Sequence, residues 1–283
     1  MSRPLQIAFQ GELGAHSHMA CLDMFPDSEV VPCPAFEDCF QQVRGGGADR
    51  AFIPVDNSAA GRVADIHRLL PASGLHIIGE HFAGISHHLM ARPGTSLASI
   101  RQAASHFHAL SQCRKFLQSN KIEPFLFEDT AGAARHIAEA DSRAEAAIAS
   151  ELAAELYGLE IVARTIEDDP GNTTRFLVLG LESIEPEANS EHTITSLVFR
   201  VRNIPAALYK ALGGFATNRV NMFKLESFMV DRSFASAEFY ADIEGHPEQP
   251  NVALALEELG FFSRSVRVLG VYPASKFRRD GPT

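Results

Sequence analysis

"DDPGNTTRFLVLG", residues 168–180, opens with acids and a Pro-Gly turn, passes through Asn172, Thr173 and Thr174, and at Arg175 enters the apolar run Phe176-Leu177-Val178-Leu179. A polar loop feeding a core strand holds its side chains rigidly at the strand edge, where chemistry is often placed. The same residues also make an ordinary turn before a strand, and spacing alone favours that plainer reading. The run after Arg175 is the last of a series of strand candidates, at 5–9, 50–55, 76–80, 86–91, 125–127, 146–149, 160–163 and 176–179. Helical stretches fall between them, for example 105–119 and 150–157, the latter closed by Gly158. Such alternation predicts parallel sheets with helices on both faces. Eight strands exceed one small sheet, so the expected arrangement is two α/β lobes around a cleft, with ligand beyond the carboxyl ends of the strands.

Composition changes after Gly180. "LESIEPEANSEHT" (181–193) is acidic and poor in apolar residues, as a linker is. Beyond it, 195–201 alternates, with Leu197, Phe199 and Val201 on one face and Val198, Arg200 and Arg202 on the other. A helix at 205–217, strands at 220–230 and 234–243, a helix at 247–259 and a strand at 265–272 complete a βαββαβ order, the ferredoxin-like unit. The tail "ASKFRRDGPT" is basic and is expected to fray.

The 283 residues leave room for a large core, and 46% hydrophobic content is that of a globular protein. A net charge of −10 argues against nucleic acid and supplies no general field for anions, so an anionic ligand needs a local site. The start Met1-Ser2-Arg3-Pro4 carries no secretion or transit pattern, and no apolar run reaches bilayer length. Cys21, Cys33, Cys39 and Cys113 lack Cys-x-x-Cys spacing and read as reduced thiols of a cytoplasmic protein. His16-Ser17-His18 and His87-His88 lack the helical separation of paired ligands, so no metal site is expected.

Three strand-to-helix junctions stand out. "IAFQGELGAHSHMA" (7–20) turns through Gly11 and Gly14 into a helix whose N-terminus suits an anion, although a tight turn explains it equally well. In "FIPVDNSAAGRV" (52–63) one of Asp56, Asn57 and Ser58 caps the next helix, or Asn57 and Ser58 bind a ligand. In "ASHFHALSQCRKFL" (104–117) Ser105 caps a helix carrying Gln112.

Together these segments resemble the prephenate dehydratase family with its C-terminal ACT regulatory domain. "FQGELGAHS" resembles Phe-Gln-Gly-Glu-x-Gly-Ala-Tyr-Ser, "PVDNSAAG" Pro-x-Glu-Asn-Ser-x-x-Gly and "SHFHALSQC" Ser-His-Pro-Gln-Ala-Leu-x-Gln-Cys, while Thr174-Arg175-Phe176 matches the Thr-Arg-Phe signature. "NIPAAL" (203–208) and "KLESF" (224–228) resemble the effector motifs Pro-Gly-Ala-Leu and Glu-Ser-Arg-Pro. The resemblance implies a two-lobed, periplasmic-binding-protein-like catalytic domain over 1–182, its second lobe at about 81–160, and a ferredoxin-like ACT domain over 193–273. It implies conversion of prephenate to phenylpyruvate, without cofactor or metal, in a cytoplasmic homodimer or homotetramer that binds neither nucleic acid nor membrane and is inhibited by L-phenylalanine.

The implied catalytic set is Thr174, Arg175, Asn57, Ser105 and Gln112. Arg175 would hold a carboxylate, Thr174 would hydrogen-bond the leaving hydroxyl, and the other three would be neutral donors. Gly14, Ala15, Ser17, Ser58 and Phe176 would border the substrate, Phe176 chiefly by starting the core strand. The effector would meet Asn203, Pro205, Ala206, Ala207, Leu208, Leu225, Glu226 and Ser227. His16 stands where the family has Tyr, Asp56 where it has Glu, Phe107-His108 for Pro-Gln, Ala206 for Gly, and Phe228 for the effector motif's Arg. The last two weaken the expectation of tight feedback. Rival readings are an arogenate dehydratase, acting on the amino counterpart of the same substrate, and a non-catalytic ligand sensor with the same cleft.

Overall fold

The computed structural model describes residues 3–63, 66–139, 145–229 and 237–280. In chain order the elements begin β1 (Gln6–Gln10), α1 (His16–Met24), β2 (Glu29–Cys33), α2 (Phe36–Arg44), β3 (Arg50–Asn57), β4 (Gly61–Arg62), α3 (Ile66–Ala72), β5 (His76–Gly84) and β6 (His88–Ala91). They continue with β7 (Gln102–Ser105), α4 (Phe107–Gln112), α5 (Arg114–Ser119), β8 (Glu123–Leu126), α6 (Thr130–Ala138), β9 (Ala146–Ala149), α7 (Glu151–Tyr157), β10 (Glu160–Ala163) and β11 (Thr173–Gly180). Last come β12 (Thr193–Val201), α8 (Ala207–Thr217), β13 (Met222–Met229), β14 (Ala237–Glu244), α9 (Pro250–Phe262), β15 (Ser263–Pro273) and α10 (Phe277–Asp280). The chain divides into two compact units, 1–63 with 82–176 in the first and 64–81 with 177–283 in the second.

The sheets run β2-β1-β3-β11-β5 with β4 on β3, β10-β6-β9-β7-β8, and β13-β14-β12-β15. The first two are mixed rather than purely parallel. β1 is parallel to β2 and β3, and β7 to β8 and β9, but β6 lies antiparallel to β9 and β10. A parallel neighbour needs a long crossover. β6 instead enters from β5 across 85–87 with no helix between them. β2 escapes sequence detection because it contains Pro32, which cannot donate to a ladder, and it accordingly sits at a sheet edge.

The expected single helix at 105–119 is two. β7 ends at Ser105, and the N-cap of α4 is His106, whose ring accepts from His108 N. The helix breaks at Cys113 (φ −109°, ψ 20°). The cause is tertiary: Asp168 donates its backbone N–H to Gln112 O at 2.6 Å and accepts from Lys115 N at 3.0 Å, occupying backbone groups on either side of the break. The helix at α7 follows its sequence cues. Ser150 Oγ accepts from Ala153 N at 3.1 Å, and Gly158 closes the helix in the left-handed conformation, φ +66°.

In the second unit, the expected strands at 220–230 and 234–243 run into 230–236, which lie outside the described residues; β13 and β14 are their described parts. Leu197, Phe199, Ala241 and Ile243 form a core with Ala211, Phe215, Val252 and Leu259 of α8 and α9. The opposite face, which carries Val198 and Arg200, is buried in part as well. Val198, Ser196, Tyr240 and Asp242 are enclosed, with His67 of α3 edge-on to the Tyr240 ring at 4.9 Å. β15 bulges near Gly270, where a Cβ would collide with the Ile77 carbonyl.

The basic tail does not fray within the described residues. Arg278 grips Glu80 with two hydrogen bonds, 2.6 and 2.9 Å, Ser275 N adds a third at 3.0 Å, and the guanidinium lies 4.8 Å from the Phe223 ring centroid. The Glu80 side chain is fully buried in this cluster. Arg278→Met is expected to destabilise the protein by about 3 kcal/mol, because removing one member strands the other in the interior. Chemical denaturation of the two proteins measures it.

Candidate active site

The site grows from the turn between β3 and β4. Asn57 Oδ1 accepts from Ala59 N (3.0 Å) and Ala60 N (2.7 Å), so the residue folds its own turn and caps no helix. Ser58 ties this turn to the loop before β11. Its N–H donates to Thr173 O at 2.8 Å, and its Oγ accepts from Thr173 N at 2.9 Å. The polar loop and the hairpin are thus one piece of backbone, and Asn57 faces Asn172 and Thr174.

Asn57 Nδ2 donates to Asn172 Oδ1 at 2.7 Å and to Thr174 Oγ1 at 2.8 Å. Thr174 is 7% exposed, and among the described residues its own proton has no acceptor. A hydroxyl that accepts on its lone pair and keeps its proton free is turned toward donation. Asn172 Nδ2 donates to Gln112 Oε1 at 3.0 Å, and His87 Nε2 meets the same oxygen at 2.8 Å. His16 Nε2 lies 3.3 Å from His87 Nδ1, ring edge to face. Three of the expected catalytic residues, Asn57, Gln112 and Thr174, therefore share one hydrogen-bond network. Asn172, His87 and His16 also belong to it. Asn172 lies inside the 168–180 loop, but nothing in its spacing marks it. The adjacent pair His87-His88 shows in the sequence only that it lacks the spacing of paired metal ligands, and carries no other sign of a role.

The remaining expected residues stand apart from this network. Arg175, 5% exposed, sits with Nη1 3.8 Å from Asp56 Oδ2, an ion-pair distance beyond hydrogen-bond reach. Phe176 stacks on Phe52 at 4.6 Å in the core beneath the strand. Ser105 is fully buried and spends its proton on Ile148 O at 2.6 Å. Gly14 is held at φ +87°, with a would-be Cβ 2.9 Å from Ala153 Cα, so no larger residue fits. Its N–H goes to His18 Nδ1 at 3.0 Å and that of Ala15 to Glu12 O at 3.1 Å; Ser17 lies in the first turn of α1. Among the described residues no group of His, Cys, Asp or Glu could hold a metal ion, and no helix is long and apolar enough to cross a membrane. The four cysteines are free and buried, with the Cys21 thiol pushed up to about 12 by burial.

Residues 7–184 match the family model for prephenate dehydratase. The chain belongs to the prephenate dehydratase family. It is 47% identical over 273 residues to a bifunctional N-acyl-homoserine lactone acylase/prephenate dehydratase of Komagataeibacter europaeus, covering 96% of this chain and 97% of that one. It is 38% identical over 278 residues to arogenate dehydratase/prephenate dehydratase 2 of Arabidopsis thaliana, covering 95% of this chain and 73% of that one. The crystal structure of prephenate dehydratase from Arthrobacter aurescens in complex with L-Phe superposes with a TM-score of 0.87 at 31% identity, over 95% of this chain and 90% of that one. The fold is that of the family: a two-lobed, periplasmic-binding-protein-like α/β part followed by a ferredoxin-like βαββαβ part. The family is one of carbon–oxygen lyases, and this member is an enzyme of that class.

A cavity of about 370 Å³ opens in the C-terminal unit beside α8. Of the expected effector residues, Asn203, Ala206, Ala207 and Leu208 line it; Pro205 and the β13 residues Leu225, Glu226 and Ser227 do not. Ala206 is the N-cap of α8 at φ +61°, ψ 15°, a conformation glycine adopts freely and alanine does not.

Two outcomes follow from this geometry. Burial, then the neighbouring imidazoles of His87 and His88, lower the pKa of His16 to about 3. The unfolded chain takes up that proton near pH 6.5 while the folded chain refuses it, so stability is full above about 6.5 and is lost as pH falls toward 3, by up to about 1.4 kcal/mol per pH unit. Denaturation curves across this range should be flatter for His16→Phe than for the parent. Ala206→Gly should stabilise the protein by about 1 kcal/mol by relieving the left-handed backbone, read as a raised denaturation midpoint.

Proposed function

We propose that this enzyme removes water and carbon dioxide from prephenate to give phenylpyruvate. The carrying observation is Thr174, whose oxygen accepts from Asn57 Nδ2 at 2.8 Å and whose proton remains available. In the reaction the C–C bond to the ring carboxylate breaks, its electron pair enters the ring, and the ring expels hydroxide, which takes up a proton to leave as water. Aromatisation supplies the driving force. Thr174 donates to the departing oxygen, with one of its own lone pairs engaged by Asn57. Gln112, whose carbonyl oxygen is occupied by two donors, offers its NH2 to a carboxylate. Arg175 provides positive charge from within the wall, held by Asp56. Ser105, with its proton committed, is left to accept. Gly14, Ala15, Ser17 and Ser58 border the same substrate.

The family match over 7–184 supports a catalytic domain over 1–182, with a second lobe at about 81–160, and the βαββαβ order supports an ACT domain over 193–273. The cavity beside α8 is the place for L-phenylalanine as feedback effector, a reading supported by the L-Phe complex of the Arthrobacter relative. Paired ACT domains would make the protein a homodimer or a homotetramer. Its buried free cysteines suit a reducing, cytoplasmic setting.

Thr174→Ala should lower kcat by about 10²- to 10⁴-fold with KM changed far less, followed as phenylpyruvate formation. Normal turnover by that variant would remove the hydroxyl from the mechanism. Prephenate and arogenate assayed side by side decide between the keto and amino substrates. An N-acyl-homoserine lactone given to the same preparation tests whether the other activity in the Komagataeibacter relative's name extends to this chain.

A further inference from the structure

The orientation of Asn57 is dictated by backbone. Its Oδ1 receives two backbone N–H groups, so its Nδ2 must be the atom facing Asn172 and Thr174. Asn172 in turn presents Oδ1 to Asn57 and donates Nδ2–H to Gln112 Oε1. A carbonyl oxygen has no proton to give. His87 Nε2, 2.8 Å from that oxygen, is therefore the donor and carries hydrogen. Burial keeps the His87 ring's pKa below its ordinary value, with partial opposition from Gln112 and the Glu167 carboxylate, so the neutral ring leaves Nδ1 bare. His16 Nε2 is then the donor across 3.3 Å, and His16 Nδ1 ends the series as a buried atom without a hydrogen-bond partner among the described residues. Every tautomer and amide orientation in the series follows from Ala59 and Ala60.

We infer that His87 is a positioning residue for Gln112: with Asn172 it clamps the Gln112 carbonyl oxygen from two sides, which leaves the Gln112 NH2 as the group presented to a substrate carboxylate. Gln112 Nε2 has no acceptor among the described residues. Without the clamp the amide can turn its oxygen toward an anion and repel it. His16 stands behind the clamp, where its Nε2–H favours the His87 tautomer that donates to Gln112. The rival explanation is shape alone: His87 fills a space against His16, and its backbone N–H is held by Glu167 Oε2 at 2.9 Å whatever its ring does. The Thr174 end is anchored separately through Asn57, so losing His87 should weaken substrate binding more than it slows chemistry.

This inference rests on the prephenate reading of the site, and its test separates the two. His87→Phe keeps a ring and deletes the donor; its KM should rise about 3- to 30-fold with kcat much less affected, the worth of one hydrogen bond in an anion site. His87→Gln returns an amide donor at the Nε2 position and should recover most of that loss. In a Gln112→Ala background His87→Phe should add less than about twofold, because the clamp has nothing left to hold. Equal penalties in both backgrounds, or no recovery with His87→Gln, overturn the inference. Nitrogen NMR of the ligand-free enzyme gives a readout independent of turnover and of any variant's folding. It should find His16 and His87 both neutral with hydrogen on Nε2, and hydrogen on Nδ1 of neutral His87 overturns the clamp. If the enzyme turns over neither prephenate nor arogenate, the reading of the site falls, while the tautomers still decide the clamp.

Discussion

The site depends on the two hydrogen bonds that Ala59 and Ala60 give to the Asn57 side chain. An amide free to flip would present oxygen or nitrogen to Thr174 almost indifferently. Fixed by backbone, it presents nitrogen, and that choice runs outward through Asn172, Gln112, His87 and His16. Backbone amides are rigid donors whose direction the fold sets, so a polarity anchored on them needs no charged group to maintain it. The tight β3–β4 turn is what brings those two N–H groups within reach, and Ser58 couples it to the loop carrying Thr174.

A chain with net charge −10 that binds a dianion cannot draw on its general field. Its answer is local. In the proposed function neutral donors do most of the holding, and the Arg175 guanidinium lies 3.8 Å from the Asp56 carboxylate. A fully connected buried polar network of this type is rigid when each member is satisfied, and costly when one is not. Among the described residues its open groups are the Thr174 hydroxyl proton, the Gln112 NH2 and, at its far end, the buried His16 Nδ1. There the family's usual residue has been exchanged for an imidazole that burial holds neutral.

Much of this was legible in the chain. The three junction segments and Thr174-Arg175-Phe176 mark the family, the apolar run after Arg175 is the core strand, and Ser150 and Gly158 bound their helix as local chemistry dictates. Those features are local: caps, turns and periodicity act within a few residues of themselves. The break at Cys113 was not legible, because Asp168, about fifty positions along the chain, makes it. Nor was the burial of the second face of β12, or the anchoring of the basic tail, because both depend on residues 66–80 lying in the second unit rather than the first.

By itself, then, the order of residues determined most of the element types, the family and three members of the central network, since each is written in short-range pattern. Tertiary structure alone decided which donors meet which acceptors. Asn172 and His87 join the network only because loops distant in sequence meet in space, and a hydrogen bond's direction exists only once its two ends have been brought together.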